Sequence, residues 1–511
     1  MADTVKIEGG STYATIGAAV TAASTGATIL VKKATYAETV VFPAGKELII
    51  LGCDADWVEL PVTLPFFGSG TDRPTINGGD TRRCFTVTNG QTAAASEFSH
   101  FIFADGYVSG DTLNGSGGGG IISNSGLTMK DCKWSACHIS STTTSGGGGL
   151  AYGNGTIEAG TSLVLEDCEF DGCFAYGTDV ATGRVGGALW GVGYDGDDGV
   201  KIVGITLTRC IFQNSYVQDP ATGWGENFAN GMGGAVCLMD GFHVVSMEDV
   251  VWIDNYLKSD VSNPVTWDAD EVGMGTGLAF YVTENTVAPG TMRNLLFVAP
   301  TRKANAENYG WGALAFKEST TNPDEKVFRF DNITITDNDV QNGNGGGLYV
   351  VDGGGAGRGV HIVFNNSIIE GNTAVNVPEL KNTRGKGQDV FLNNPSDAEM
   401  DITLNNCNVA FQTLFQVAPL SVYKYGGDED WDRKTTCIDV DSQFVGSGDT
   451  PYSKKRTSPC IDAGKTISGL DHDIAGNDRP LGGAFDIGAY EDLRTSGNSM
   501  GGLWPGPPRV F

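Results

Sequence analysis

A chain of 511 residues with a formal net charge of −28 has the wrong electrostatic field to track a nucleic-acid backbone, so polynucleotides are excluded as the natural partner. Its 74 Gly come without the proline load or three-residue period of collagen, and 40% hydrophobic content is too high for disorder, so frequent tight turns around a long core are expected. No apolar run approaches the roughly eighteen residues of a membrane-spanning helix, and no membrane insertion is expected.

The first residues, Met1 to Lys6, lack the basic and apolar stretches of a secretory signal, so the expectation is export by another route, loss of a leader, or release by lysis. Residues 12–23 place Ile16, Ala19, Val20 and Ala23 on one face of a short helix, and Thr28 to Val31, Tyr36 to Val40 and Leu48 to Gly52 follow as short strands. This opening, residues 1–52, resembles that of pectate-lyase-like β-helix proteins, which implies that the helix plugs the first coil.

The body, residues 53–456, is periodic. Gly119-Gly120-Ile121-Ile122, Gly148-Gly149-Leu150-Ala151, Gly186-Gly187-Ala188-Leu189, Gly233-Gly234-Ala235-Val236 and Gly346-Gly347-Leu348-Tyr349 are copies of one corner, with weaker copies around Gly277, Gly312 and Gly387. Successive copies lie 29 to 47 residues apart, and each continues into an alternating strand such as Val200 to Leu207, a one-residue corner and a second short strand. The corner is marked by Asp131-Cys132, Asp167-Cys168, Arg209-Cys210, Asp249-Val250, Asp331-Asn332 and Asn406-Cys407, and five residues after the Cys position come Cys137, Cys173, Ser215 and Asn255. Each unit exposes apolar strand faces that only a neighbour about 4.8 Å away can cover, so the units must stack. The Cys positions then form columns. Cβ vectors on neighbouring parallel strands are near-parallel and too far apart for a relaxed bridge, so the stacked Cys, like most of the 11, read as small buried apolar side chains and not as a disulfide ladder. With Phe212-Gln213-Asn214, the Gly-Gly corners loosely resemble the repeats of chlamydial polymorphic outer-membrane proteins.

Between residues 190 and 267 the repeats are longest, and the extra length carries Trp190, Tyr194, Tyr216, Trp224, Phe228, Tyr256 and Trp267. If these rings protrude they bind a glycan or a protein by stacking; otherwise they pack between loops. The acidic runs Asp195-Gly196-Asp197-Asp198, Asp268 to Glu271 and Asp428 to Asp432 lie in turns and match no complete calcium loop, so Asp195, Asp197 and Asp198 are metal candidates only for Ca2+ and a solvated turn is the simpler reading. Arg184 is the one lyase-like base beside them. The sequons at Asn154 and Asn332 read as chance, and the five His are dispersed.

Residues 457–492 hold Ser458-Pro459-Cys460-Ile461-Asp462-Ala463-Gly464, the stretch Asp471 to Pro480, and Asp486-Ile487-Gly488-Ala489-Tyr490-Glu491. This set resembles the closing segment of bacterial β-helix surface proteins and implies a C-terminal cap. The tail, residues 493–511, ends in Trp504, Pro505, Pro507, Pro508 and Phe511, a polyproline-like segment with apolar anchors that suits docking to a groove.

The expected fold is therefore all-β: a single right-handed parallel β-helix of roughly a dozen coils with a short N-terminal capping helix, a C-terminal cap and an extended tail. The resemblances, which extend to phage spike and fibre proteins, cover about residues 12–491 and imply fold more than chemistry. The functional expectation is a non-catalytic structural or attachment protein on a virion surface. Its expected partners are other virion or surface proteins reached through the tail, a glycan, or further copies of itself. A secreted or cell-surface adhesin is the alternative, and a polysaccharide lyase or hydrolase the second. No cofactor other than Ca2+ is in question.

Overall fold

The computed structural model describes residues 4–43, 45–62, 73–87, 96–109, 118–123, 125–141, 145–153, 160–177, 184–195, 199–200, 203–218, 231–239, 241–258, 274–299, 312–318, 325–340, 345–351, 360–374, 389–393, 401–409, 422–425, 434–448 and 450–492. The chain is all-β, with most strands in parallel sheets. It divides into two compact units, Met1–His243 with Asn255–Phe280 and Asn285–Val287, and Val244–Asp254 with Tyr281–Glu284 and Ala288–Phe511.

The first unit begins with Val5–Ile7, antiparallel to both Thr12–Tyr13 and Thr28–Lys32. The helix Ile16–Ala22 follows. The Thr15 hydroxyl caps it by accepting from Ala18 N, and the Glu38 carboxylate accepts from Ile16 N and Gly17 N at 2.8 and 2.9 Å, satisfying amides that a helix start leaves open. Ile16, Ala19, Val20 and the C-cap Ala23 are all buried, as the apolar face required.

Four parallel columns of strands then repeat in register. One runs Thr28–Lys32, Ile49–Cys53, Ser96–Ser99, Leu127–Lys130, Ser162–Glu166, Val203–Thr208. Beside it runs Thr35–Tyr36, Thr75–Asn77, Ile102–Ala104, Lys133–Ser135, Glu169–Asp171, Ile211–Gln213. The third is Tyr107–Ser109, His138–Ser141, Phe174–Gly177, Tyr216–Gln218, Tyr256–Lys258. The fourth, following the Gly-Gly corners, is Val40–Phe42, Phe85–Val87, Ile121–Ser123, Leu150–Tyr152, Leu189–Val192, Val236–Met239.

The one-residue corner between the first two columns is a left-handed residue. His100, Asp131, Asp167 and Arg209 all have positive φ, between 49° and 68°. That conformation is strained for most side chains and least so for Asp and Asn. The Gly runs divide two jobs between neighbours. Gly147, Gly186 and Gly233 take positive φ. Gly148 does not; a Cβ there would lie 2.3 Å from the Phe174 carbonyl oxygen and 2.5 Å from that of Gly187, so close backbone approach requires it.

Inside, Phe103, Trp134, Phe170 and Phe212 form a stacked column, with Trp134 and Phe170 4.2 Å apart and nearly parallel. The thiols of Cys132, Cys168 and Cys210 are buried and donate to main-chain carbonyls of their own and the preceding repeat. All 11 Cys are free.

In the second unit, the residues from Ser246 to Ile253 pair with Thr291–Val298, which pairs with Lys326–Asp331 and Thr334–Thr336. These continue to Val360–Asn365 and Ile368–Glu370, then to Asp401–Asn405 and Asn408–Val409. A separate column joins Leu314–Glu318, Leu348–Val351, Val390–Asn393 and Val422–Tyr425. The left-handed corner persists as Asp249, Asn294, Asn332, Asn366 and Asn406. A buried amide ladder runs beside it, Asn338 donating to Asn372 and Asn372 to Asp389. Residues 450–492 are mostly turns, and part of this stretch lies along the corner column.

Candidate binding surface

The third strand column of the first unit has two faces of opposite character. Ile139, Ala175, Val217 and Leu257 form a buried cluster with Val108 packed against it. Period-two alternation turns their neighbours outward. Tyr107, His138, Phe174, Tyr216 and Tyr256 stack with ring centroids 4.7, 4.5, 4.8 and 4.7 Å apart, the spacing of parallel strands. Two residues further, Ser109, Ser140, Tyr176, Gln218 and Lys258 make a polar column on the same face. Tyr107 to Tyr216 are half-buried and Tyr256 is 7% exposed.

The geometry limits what this ladder does. The rings of His138 and Phe174, and of Phe174 and Tyr216, lie within 6° of parallel, so each ring face is covered by the next repeat. What remains for a ligand is ring edges and phenol hydroxyls, which suits hydrogen bonding better than stacking on a sugar face.

Across the corner, the neighbouring column adds charge. Lys133 Nζ lies 2.8 Å from Glu169 Oε1 and 3.3 Å from Asp171 Oδ2; Gln213 donates to Glu169 and Asn214 to Asp171. Burial pushes the Glu169 carboxyl above the usual range, against the pull of Lys133. Both carboxylates are engaged as acceptors, which fits recognition and ordering better than proton transfer.

A second constellation has the composition of a catalytic relay. Asp131 accepts from His100 Nδ1 at 2.7 Å and from Arg73, and His100 Nε2 lies 3.3 Å from Glu59. Yet His100 is 1% exposed and its Nε2, the atom that would exchange a proton with substrate, faces Glu59. It is a corner-to-corner bond.

Of the residues singled out in the sequence, Trp190 is 5% exposed within Leu189–Val192, a strand buried on both faces, so its ring packs and does not protrude. Tyr216 belongs to the half-buried ladder. Tyr194–Asp195 is a short strand antiparallel to Gly199–Val200, and Arg184 pairs beside Ser145. Asp197, Asp198, Trp224, Phe228 and Trp267 lie outside the described residues, as do Asp268 to Glu271, Asp428 to Asp432, Asn154, and Trp504, Pro505, Pro507, Pro508 and Phe511 in the tail. Chain continuity ties three of these to the ladder: Trp224 and Phe228 follow its strand Tyr216–Gln218, and Trp267 follows Tyr256–Lys258. The ladder residues Tyr107, His138 and Phe174 were not singled out, although each follows directly on Gly106, Cys137 or Cys173.

Among the described residues, no group of three or more His, Cys, Asp or Glu side chains is disposed to hold a metal ion, and no helix is long and apolar enough to cross a membrane. Neither a protein-family model nor a curated protein sequence matches the chain.

Proposed function

We propose that the parallel sheets wind into a single right-handed β-helix and that the chain is a non-catalytic attachment protein of a virion surface, a scaffold carrying a recognition face. The observation that carries this reading is the outward ladder from Tyr107 to Tyr256, whose strands precede Trp224, Phe228 and Trp267 in the chain. A repeat scaffold presents the outward side chains of its strands at a fixed spacing without catalytic residues. The Glu169 and Asp131 carboxylate constellations are engaged in ion pairs and hydrogen bonds, which supports binding over hydrolysis or elimination.

The thiols favour a virion over an exported adhesin. Eleven free Cys in one chain fit assembly in a reducing compartment, whereas export exposes a chain to oxidation. The tail from Trp504 to Phe511 is the segment proposed to dock on other virion proteins.

The test has two parts. Mass spectrometry of purified particles is expected to find the chain at a fixed copy number, and its absence from particles would return the adhesin. Binding of the full chain to host envelope is expected to weaken at least tenfold in a Trp224→Ala, Trp267→Ala double variant. Unsaturated sugar released from acidic polysaccharides, and lost on chelation, would instead establish a lyase.

A further inference from the structure

In the second unit the corner residues of successive repeats bond to a segment far away in sequence. Asn406 Nδ2 donates to Ala463 O at 3.4 Å. Asn366 accepts from Lys465 N at 2.8 Å and donates to Lys465 O at 2.7 Å. Arg293 donates to Gly469 O, and Asn294 to His472 O at 3.0 Å. The chain then turns back, and Asn332 donates to Asp486 O while Gly488 N donates to Asn366 O. Residues 463–472 therefore run along the asparagine column against the order of the repeats, which is the geometry of a longitudinal strap.

The strap has its own polar core. Buried Asp473 accepts from the amides of Ala475, Asn477 and Glu491, and Arg479 pairs with Glu491 at 2.9 Å while donating to three carbonyls of residues 486–489. Its apolar side chains are buried as well, Leu470, Ile474, Phe485, Ala489 and Tyr490 among them, and Cys460 and Ile487 pack against Ile368 at its base. At its far end His472 is set among carboxylates. Its Nε2 lies 3.0 Å from Asp249 Oδ2 and 3.8 Å from Glu248, and its Nδ1 lies 2.8 Å from Asp471; Arg293 pairs with Glu248 at 3.0 Å. The column's other bonds to the strap come from groups that keep one protonation state near neutral pH, namely amides and a guanidinium.

We propose that residues 458–492 are a pH-gated strap, latched by the His472 imidazolium on Asp249, that lifts off the asparagine column as a unit while the sheet behind it stays folded. The hydrogen bond to Asp249 raises His472 to about 9, with burial opposing and Asp471 and Glu248 assisting. A raised histidine contributes its stabilisation fully below its ordinary value near 6.5 and loses it as pH rises through the folded value. The latch therefore weakens across about pH 6.5 to 9, a window that contains neutral pH. Release bares the side-chain amides of Asn294, Asn332 and Asn366 in a row, groups that already hold one length of main chain.

The test is hydrogen exchange on the full chain from pH 6 to 9.5, read by mass spectrometry and corrected for intrinsic rates. Peptides from 458–492 are expected to lose protection by roughly tenfold or more over the window, while Val360–Asn365 and Asp401–Asn405 keep theirs. His472→Gln and Asp249→Asn are each expected to lower strap protection already at pH 6 and to remove the pH dependence above about pH 8, the part below being shared with Glu491, which burial raises to about 7. Loss of protection in strap and strands together, or a strap indifferent to pH in the unmodified chain, would overturn the proposal without reference to either variant.

Discussion

Arg209 lies directly over Asp167 in the corner column, its Nε donating to Oδ1 at 2.7 Å and its Nη2 to Oδ2 at 2.9 Å, with Glu166 as a further acceptor. Asp167 is 4% exposed, and burial raises its carboxyl while Arg209 holds it down. Removing the guanidinium leaves a buried charge without its fork. Because Arg209 has φ of 49°, Ala there keeps the backbone strain that Arg already bears, whereas Asn relieves it. Arg209→Asn is therefore expected to cost about 2–3 kcal/mol, discounted for the part-exposed Arg, with Arg209→Ala costing roughly 1 kcal/mol more. Urea unfolding of both variants measures the difference, and equal losses would refute the strain argument.

Two glycines on neighbouring repeats separate conformational freedom from space. Gly172 has φ of +64° with nothing within 4 Å of a built Cβ, while a Cβ on Gly187 would lie 2.3 Å from Gly234 O and 2.4 Å from Tyr216 O. Backbone on both sides cannot yield as a side chain can. Gly187→Ala is expected to cost at least about 3 kcal/mol or to prevent folding, and Gly172→Asn less than about 1 kcal/mol. Soluble yield and melting temperature of the pair decide it; similar losses at the two sites would contradict the packing assigned to Gly187.

These contrasts mark what the sequence discloses. The repeat and its corners were legible because Cys132, Cys168 and Cys210, and Cys137 and Cys173, recur at fixed offsets within the stacked unit. The aromatic ladder was not, because Tyr107, His138 and Phe174 differ in type and become one column only when the register is known. The fate of Trp190 was open for a related reason: Leu189–Val192 is buried on both faces, so alternation carries no sign of which rings protrude. Residues 457–492 stood out as a closing segment, but their path along the asparagine column did not. Asn366 meets Lys465 across 99 residues of chain, a pairing that no period announces.

The buried thiols should be chemically silent in the folded chain. Cys168 and Cys407 are 0% exposed and burial holds both thiols well above their ordinary range, so the nucleophilic thiolate is scarce as well as inaccessible. Only Cys437 is partly exposed among the 11. Titration with a thiol-reactive dye is expected to label at most one site per chain before unfolding and all 11 in denaturant. Rapid native labelling of several thiols would mean that the columns are open to solvent.

Glu370 gives stability a slope with pH that has a defined sign. Its Oε1 accepts from Ser442 N at 3.0 Å and its Oε2 from Asn408 Nδ2 at 2.9 Å, but burial outweighs both and pushes the carboxyl up to about 7. The folded chain thus keeps this proton to about pH 7, whereas the unfolded chain releases it near 4.5. Between those values the folded state binds more protons, so stability falls as pH rises through the window. Glu370→Gln is fixed neutral and cannot follow. Its stability relative to the unmodified chain is expected to improve by on the order of 1–2 kcal/mol from pH 4.5 to 7.5. Part of the slope will survive in the variant, because burial also raises Glu491 to about 7. Urea midpoints at four pH values across the window measure the difference, and parallel curves would show that Glu370 is ionised in the folded chain throughout.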